Sequence, residues 1–168
     1  LKVTVNRPGV HVRARSGYFV QKAGANASDE QIERREITLG FSSPLDFTGV
    51  GVTAAWGAAT PGKKEGTKQV PFEIALPPNS VAIDSQDNNH VRVDFFAFAR
   101  DEKGVTVAQS GRTVEAHLTP ESLAKIEKGG TTYHNVLELA PGEYSVRFVV
   151  RDELSGRMGT VTAPLKVE

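Results

Sequence analysis

Cysteine is absent from the 168 residues of this chain, which excludes disulfides, thiolate catalysis and sulfur-ligated metal sites. An excess of charge is absent as well, since 20 basic residues balance 20 acidic ones and no global field favours nucleic acid or an anionic membrane. No apolar run approaches the roughly 20 residues that span a bilayer. We therefore predict no nucleic-acid partner and no membrane insertion. The absence of cysteine does not indicate the cellular compartment of the protein.

The chain also lacks a signal-peptide core and an initiator methionine at its start, residues 1–9. It begins inside a strand-like pattern, which indicates a fragment or a processed product. A small and polar segment, residues 23–29, resembles a linker. We predict a boundary there: residues 1–27 form an extended closing piece plus linker, and residues 28–168 form a separate domain.

Alternating apolar and polar residues dominate the second part and predict β-strands. Residues 144–150 show the pattern clearly, with Pro141-Gly142 and Ser155-Gly156 as flanking turns. Residues 91–99 become apolar on both faces, which predicts a central strand. Pro71 lacks a backbone donor, so its strand is predicted to lie at a sheet edge.

Only two short helices are predicted. The first follows the cap Ser28 and is expected to end at Gly40, and the second begins at Pro120 with Thr119 as its cap. Seven or eight strands with so few helices predict an all-β fold, an immunoglobulin-like or fibronectin-like antiparallel β-sandwich. An α/β fold would need helices between most strands.

The sequence offers only weak candidates for metal ligands. Asp84 and Asp87 belong to an oxygen-rich loop of the kind that suits calcium, but the spacing of an EF-hand is missing, and a solvated loop is the favoured interpretation. The histidines do not have a zinc-site spacing. His117 and His134 flank the second helix and are placed to approach each other, with surface histidines as the favoured alternative; the other two are His11 and His90. No cofactor is predicted.

Trp56 is the single tryptophan and has two interpretations. It alternates with Val52 and Ala54, which favours a core position, and the alternative is a platform on which a carbohydrate stacks. Ser122 and Lys125 match the S-x-x-K pattern of penicillin-interacting enzymes. The partner motifs are missing, so an exposed serine and lysine are favoured and no catalytic residue is assigned.

Tyr144 follows the Pro-Gly corner at the start of the penultimate strand. This position is typical of the tyrosine corner of immunoglobulin-like sandwiches, in which the hydroxyl binds an upstream backbone group. Three nearby arginines are interpreted as a solvated sheet face: Arg147, Arg151 and Arg157.

Two segments carry a family resemblance. Residues 3–19, with Val12-Arg13-Ala14-Arg15-Ser16-Gly17-Tyr18, are similar to the end of the von Willebrand factor type A-related domain of acidobacterial proteins. Residues 137–160 are similar to the "PGxYxLRVxVRDxxSGRxGS" region of the β-rich domain that follows it. The resemblance implies export, hence an extracellular or periplasmic location. The Asp-x-Ser-x-Ser signature of type A domains is missing, so no metal residue is carried over.

These observations lead to a non-catalytic accessory module as the first hypothesis. It would bind a protein or cell-surface ligand, or support an upstream type A-like domain. A carbohydrate-binding module that uses Trp56 and the end loops is the alternative, and a hydrolase is the remote one.

Overall fold

The computed structural model describes residues 28–168, and from Arg35 to Glu168 the chain forms one compact unit. The predicted closing piece, residues 1–27, lies outside the described residues. The helices and strands in chain order are α1 Asp29–Ser42, β1 Thr53–Trp56, β2 Thr60–Pro61, β3 Lys68–Leu76, β4 His90–Arg100, β5 Thr106–His117, α2 Pro120–Gly129, β6 Thr131–Leu139, β7 Gly142–Asp152 and β8 Met158–Val167.

The strands form two antiparallel sheets, and the fold is an immunoglobulin-like β-sandwich, as predicted. In sheet 1, β3 lies between β6 on one side and β1 and β2 on the other. Sheet 2 has the order β5-β4-β7-β8. The prediction that β4 is central is therefore confirmed.

The core lies between the two sheets. Alternate residues of β3 and β4 point inward, and Phe72, Ile74, Phe95 and Phe148 are at most 4% exposed. The inward residues of each strand recur with a period of two, so the alternation visible in the sequence corresponds to the core face. The predicted core positions of β1, Val52, Ala54 and Trp56, are half-buried and pack against this core.

The corner between β6 and β7 carries the chain from sheet 1 to sheet 2. The Tyr144 hydroxyl donates to the carbonyl of Ala140 at 2.9 Å, so the predicted tyrosine corner is present. The turn between β7 and β8 is built on Asp152, which is fully buried. Its carboxylate accepts from the backbone N–H of Leu154 and of Ala82, at 3.2 and 2.8 Å. Asp152 thereby fixes both its own turn and the loop before β4.

Helix α1 begins after Ser28, as predicted, and Gln31 N–H contacts the Ser28 hydroxyl at 3.4 Å. The prediction that Gly40 ends the helix is wrong, because the helix continues to Ser42. Gly40 instead allows close approach: a Cβ there would lie 2.6 Å from Met158 Sδ and 2.8 Å from Val149 Cγ1. The part of α1 from Arg35 onward therefore covers the outer face of sheet 2.

The edge prediction from Pro71 is also wrong, since β3 is the central strand of sheet 1. The Pro71 carbonyl accepts from Gly57 N–H at 2.8 Å, just after β1 has ended. In an antiparallel ladder, the N–H and C=O of one residue point to the same side. The missing donor of Pro71 therefore faces the gap between β1 and β2, where no ladder bond is lost.

Candidate functional site

A groove of about 470 Å³ lies on sheet 1, at the end of β1. Pro71 and Val136 are register partners in it, and Val136 is 39% exposed although it is apolar. Beside them, His134 Nδ1 lies 3.9 Å from Glu73 Oε2. These side chains point away from the core because their strand neighbours point into it. The lining residues are Ala55, Trp56, Gly57, Pro71, Phe72, Glu73, His134, Asn135 and Val136.

Trp56 lines this groove, but its ring packs against the core. Its indole N–H donates to the Pro164 carbonyl at 3.1 Å. Its ring packs against Phe148 and Phe72, with centroids 5.4 and 6.4 Å away. The indole donor is therefore already used, and the ring links sheet 1 to sheet 2 at the rim of the core.

The acidic loop before β4 uses its two candidate calcium ligands differently. Asp84 Oδ1 accepts from the backbone N–H of Gln86 and of Asp87, at 2.9 and 3.3 Å, and so closes a turn. Asp87 is 63% exposed and points instead towards two imidazoles. The two carboxylates therefore have different partners within the described residues.

His117 and His134 are surface histidines, as the favoured interpretation predicted, since their side chains are 50% and 71% exposed. His117 ends β5 and lies directly opposite His90, the first residue of β4, with ring centroids 5.0 Å apart. His134 lies on β6 in sheet 1, beside Glu73. The sequence could not show this pairing, because it depends on the register between β4 and β5. His11 lies outside the described residues.

The interpretation of Arg147 as a solvated residue is wrong: it is 7% exposed. Its guanidinium donates to the carbonyls of Gly40 and Leu45 at 3.2 and 2.8 Å, and to Asp46 Oδ1 at 2.5 Å. It also donates to the hydroxyls of two β8 residues, Thr160 and Thr162, each at 2.9 Å. Five donors are thus satisfied, and Arg147 fastens the end of α1 and the following segment to sheet 2.

Arg151 is buried as well and forms part of a charged cluster under α1. Its Nε donates to Glu36 at 2.6 Å, and its Nη1 lies 3.6 Å from Asp94 Oδ2 and 3.4 Å from Glu153 Oε1. Burial opposes the charge of Arg151, but Glu36 and the other carboxylates outweigh this and raise its pKa. The third arginine, Arg157, is partly exposed and contacts Asp152 at 3.5 Å.

The carboxyl groups of Asp94 and Glu153 lie side by side in this cluster. Asp94 is fully buried, and Thr113 donates to its Oδ1 at 2.7 Å. Within the described part of the chain, Asp94 Oδ2 and Glu153 Oε1 have no hydrogen-bond donor. Burial raises the pKa of Glu153, because it disfavours the charged form. The neighbouring Asp94 raises this pKa further, because only a protonated Glu153 can donate a hydrogen bond to it.

The sequence contained a signal for this buried polar face. Asp94 shares its side of β4 with Phe96 and Phe98, and Arg147 and Arg151 share theirs with Val149. A face that mixes aromatic and aliphatic residues with charges is more typical of a covered surface than of a solvated one.

The two residues of the S-x-x-K pattern do not contact each other in the hydrogen bonds that they form. Ser122 contacts the capping hydroxyl of Thr119 at 3.0 Å, while Lys125 forms an ion pair with Glu121 at 2.9 Å.

A second cavity, of about 160 Å³, lies between the sheets below α2. It is lined mainly by apolar side chains, among them Leu76, Val93, Phe95 and Ile126. Tyr133 also lines it, with its hydroxyl engaged by Asn135 at 2.5 Å.

Comparison with protein-family models gives no match, and comparison with curated proteins gives none either. Among solved structures, the chain is similar to a β-glucuronidase from glycoside hydrolase family 2, with 15% identity, a TM-score of 0.44, and coverage of 70% of this chain and 11% of that one. A putative β-galactosidase from Bacteroides fragilis gives 15% identity, a TM-score of 0.44, and coverage of 70% and 16%.

A glycosyl hydrolase family 2 member from Bacteroides cellulosilyticus gives 18% identity, a TM-score of 0.43, and coverage of 73% of this chain and 14% of that one. The chain thus spans about a sixth or less of the length of these enzymes. Within the described residues, no helix is long and apolar enough to cross a membrane.

Proposed function

We propose that this chain is a non-catalytic interaction module that binds a protein or cell-surface ligand through the groove on sheet 1. The observation that carries the proposal is an apolar floor formed by the exposed Val136 and the half-buried Pro71, beside the polar groups of Glu73 and His134. An apolar centre with a polar rim is the usual arrangement of a protein interface.

The occupant that this groove fits best is an extended peptide segment of a partner protein. Val136 and Pro71 offer contact to one apolar side chain. Glu73, which is 47% exposed, offers a negative charge next to it. The segment is therefore expected to carry an apolar residue beside a lysine or arginine, because complementary charges fix the register of the bound partner.

Selection from a phage-displayed random peptide library tests this proposal without knowledge of the natural partner. We expect enriched peptides that share an apolar residue next to a basic one. A synthetic peptide of that sequence is expected to shift the amide resonances of β3, β6 and the end of β1. Enrichment of unrelated sequences, or shifts confined to sheet 2, would contradict the proposal.

Carbohydrate binding is the second candidate. It is favoured by the presence of Trp56 in the same groove, beside the polar side chains of Glu73, His134 and Asn135. Sugars are bound by stacking on an aromatic ring combined with hydrogen bonds from such groups. Binding on a glycan array that is lost in a folded Trp56→Phe variant would replace the peptide proposal with this one.

Export to an extracellular or periplasmic site, and support of an upstream type A-like domain, are further parts of the proposal. They rest on the resemblance of residues 3–19 and 137–160 to the acidobacterial proteins. The sequence of the parent chain tests them, because an Asp-x-Ser-x-Ser signature upstream of Leu1 is expected. Hydrolase activity in the purified chain would overturn the non-catalytic assignment.

A further inference from the structure

We propose that His90, His117 and Asp87 form a binding site for a divalent transition-metal ion such as Zn²⁺. The site lies at one end of sheet 2, where the loop before β4 meets the end of β5, well apart in the fold from the groove on sheet 1. It uses two histidines that the groove does not involve and an aspartate whose carboxylate faces both of them.

The position of the two histidines is fixed by the backbone. His90 and His117 are direct partners in the antiparallel ladder between β4 and β5, so their side chains extend from the same face. The His90 N–H donates to the carbonyls of Asp84 and Asp87, at 3.1 and 2.9 Å. The loop that carries Asp87 is thereby held against the start of β4.

The Asp87 carboxylate faces both imidazoles at this place. His90 Nδ1 lies 3.6 Å from Asp87 Oδ2, and His117 Nε2 lies 3.7 Å from Asp87 Oδ1. Ligands bound tetrahedrally to zinc at 2.0–2.1 Å are about 3.3 Å apart, so these two separations are close to those of a coordinated ion. Two imidazoles and one carboxylate leave the fourth position to water, a ligand set that zinc accepts.

Glu115 supplies the outer hydrogen bond that such a site needs. Its Oε1 lies 3.0 Å from Nε2 of His90, whose side chain is 15% exposed. A carboxylate only accepts hydrogen bonds, so in the neutral ring Nε2 carries the hydrogen and Nδ1 keeps its lone pair. The lone pair then points at Asp87. A carboxylate that orients a metal-binding histidine in this way is the usual partner of histidine ligands.

The donor atoms of the three residues are not all close enough to bind one ion, so the stacked rings must move apart before an ion can bind. The half-exposed side chains of His117 and Asp87 have room for this, being 50% and 63% exposed. His90 stays in place because Glu115 holds it. Binding therefore requires rotation of a surface imidazole and leaves the backbone of β4 and β5 unchanged.

Isothermal titration of the tag-free chain with zinc chloride tests the proposal. We expect one saturable site per chain and a higher unfolding temperature with zinc. His117→Gln is expected to weaken binding at least about tenfold, and Glu115→Gln by about 10- to 100-fold. His134→Gln is the matched control and should bind like the unchanged protein.

Absence of saturable zinc binding would overturn the proposal, as would binding that His117→Gln leaves intact. A site that prefers calcium and is lost in Asp84→Asn would likewise overturn it in favour of an oxygen-ligated loop. His117 is half exposed, so its substitution is expected to preserve the fold, and circular dichroism checks this. The readout is metal affinity, so the result is independent of the peptide-binding groove.

Discussion

At the scale of single residues, Arg147 combines more structural roles than any motif in the sequence suggested. Its five hydrogen bonds join β7 to β8, to Asp46 and to two carbonyls at the end of α1 and beyond. Each acceptor lost on substitution becomes a buried polar group without a partner, or has to find water. The residue should therefore be decisive for stability, although it lies far from the candidate groove.

Arg147→Met is expected to lower the free energy of unfolding by about 3 kcal/mol, because it leaves the buried Gly40 carbonyl without its side-chain donor and removes the ion pair with Asp46. Urea denaturation followed by tryptophan fluorescence measures the change. Lys166→Met, at an exposed position on the neighbouring β8, is the control and should change the value by less than about 0.5 kcal/mol. Equal effects of the two substitutions would show that Arg147 is not a structural clamp.

Glu153 determines a pH dependence at the same scale. Its pKa is raised above the ordinary value of 4.5, so the folded state binds its proton more tightly than the unfolded state does. The stabilising contribution of the protonated group is fully present below about pH 4.5 and is lost as the pH rises through the raised pKa. At neutral pH the ionised group therefore costs stability.

Glu153→Gln is expected to raise the unfolding midpoint at pH 7, since the amide stays neutral and can donate to Asp94 Oδ2. The advantage over the unchanged chain should disappear near pH 4, where Glu153 is protonated. Glu143→Gln, at an exposed position of β7, is the control. Thermal unfolding at a series of pH values gives the comparison, and an advantage that does not depend on pH would refute the carboxyl pair.

At the scale of elements, much of the fold could be predicted and the packing of α1 could not. The alternation in β4 and β7, the Thr119 cap and the Tyr144 corner are local signals, and each was read correctly from neighbouring residues. The burial of Arg147 and Asp94 depends on a helix lying over sheet 2. Gly40 is the residue that allows α1 to pack closely on sheet 2. In the sequence, however, a glycine near the end of a helix is more simply interpreted as the residue that terminates it.

Gly40→Ala tests the close approach of α1 to sheet 2. Gly40 lies within α1 and does not have the positive φ of a terminating glycine, so helix propensity alone would favour alanine by about 1 kcal/mol. Because the added Cβ would meet Met158 and Val149, we expect a loss of about 1–2 kcal/mol of stability instead. Gly129→Ala, at the open end of α2, is the matched control and should be neutral or stabilising in the same denaturation experiment.

Tyr144→Phe tests the corner between the sheets. The hydroxyl bond to Ala140 is exposed to solvent, so its loss is expected to cost about 0.5–1 kcal/mol. Guanidinium denaturation detects a shift of that size if the slope of the transition is unchanged. An unchanged midpoint would reject the role of this hydrogen bond in holding β6 and β7 together.

At the scale of the whole molecule, the two sheets differ in what covers them. Sheet 2 is covered by α1 from Arg35 onward, and its charges are engaged in ion pairs and backbone contacts. Sheet 1 presents the groove with the exposed Val136. The sequence singled out Trp56 but could not predict the groove, because Val136, Glu73 and Gly57 come together only through the register of three strands.

The central claim is that this groove binds a partner peptide, and the affinity of a library-selected peptide for two charge variants tests it most directly. Val136→Glu places a carboxylate on the apolar floor and is expected to weaken binding at least about tenfold, whereas Val107→Glu, at a similarly exposed valine of β5, should leave the affinity unchanged. Equal affinity of both variants, with the fold intact by circular dichroism, would contradict the account.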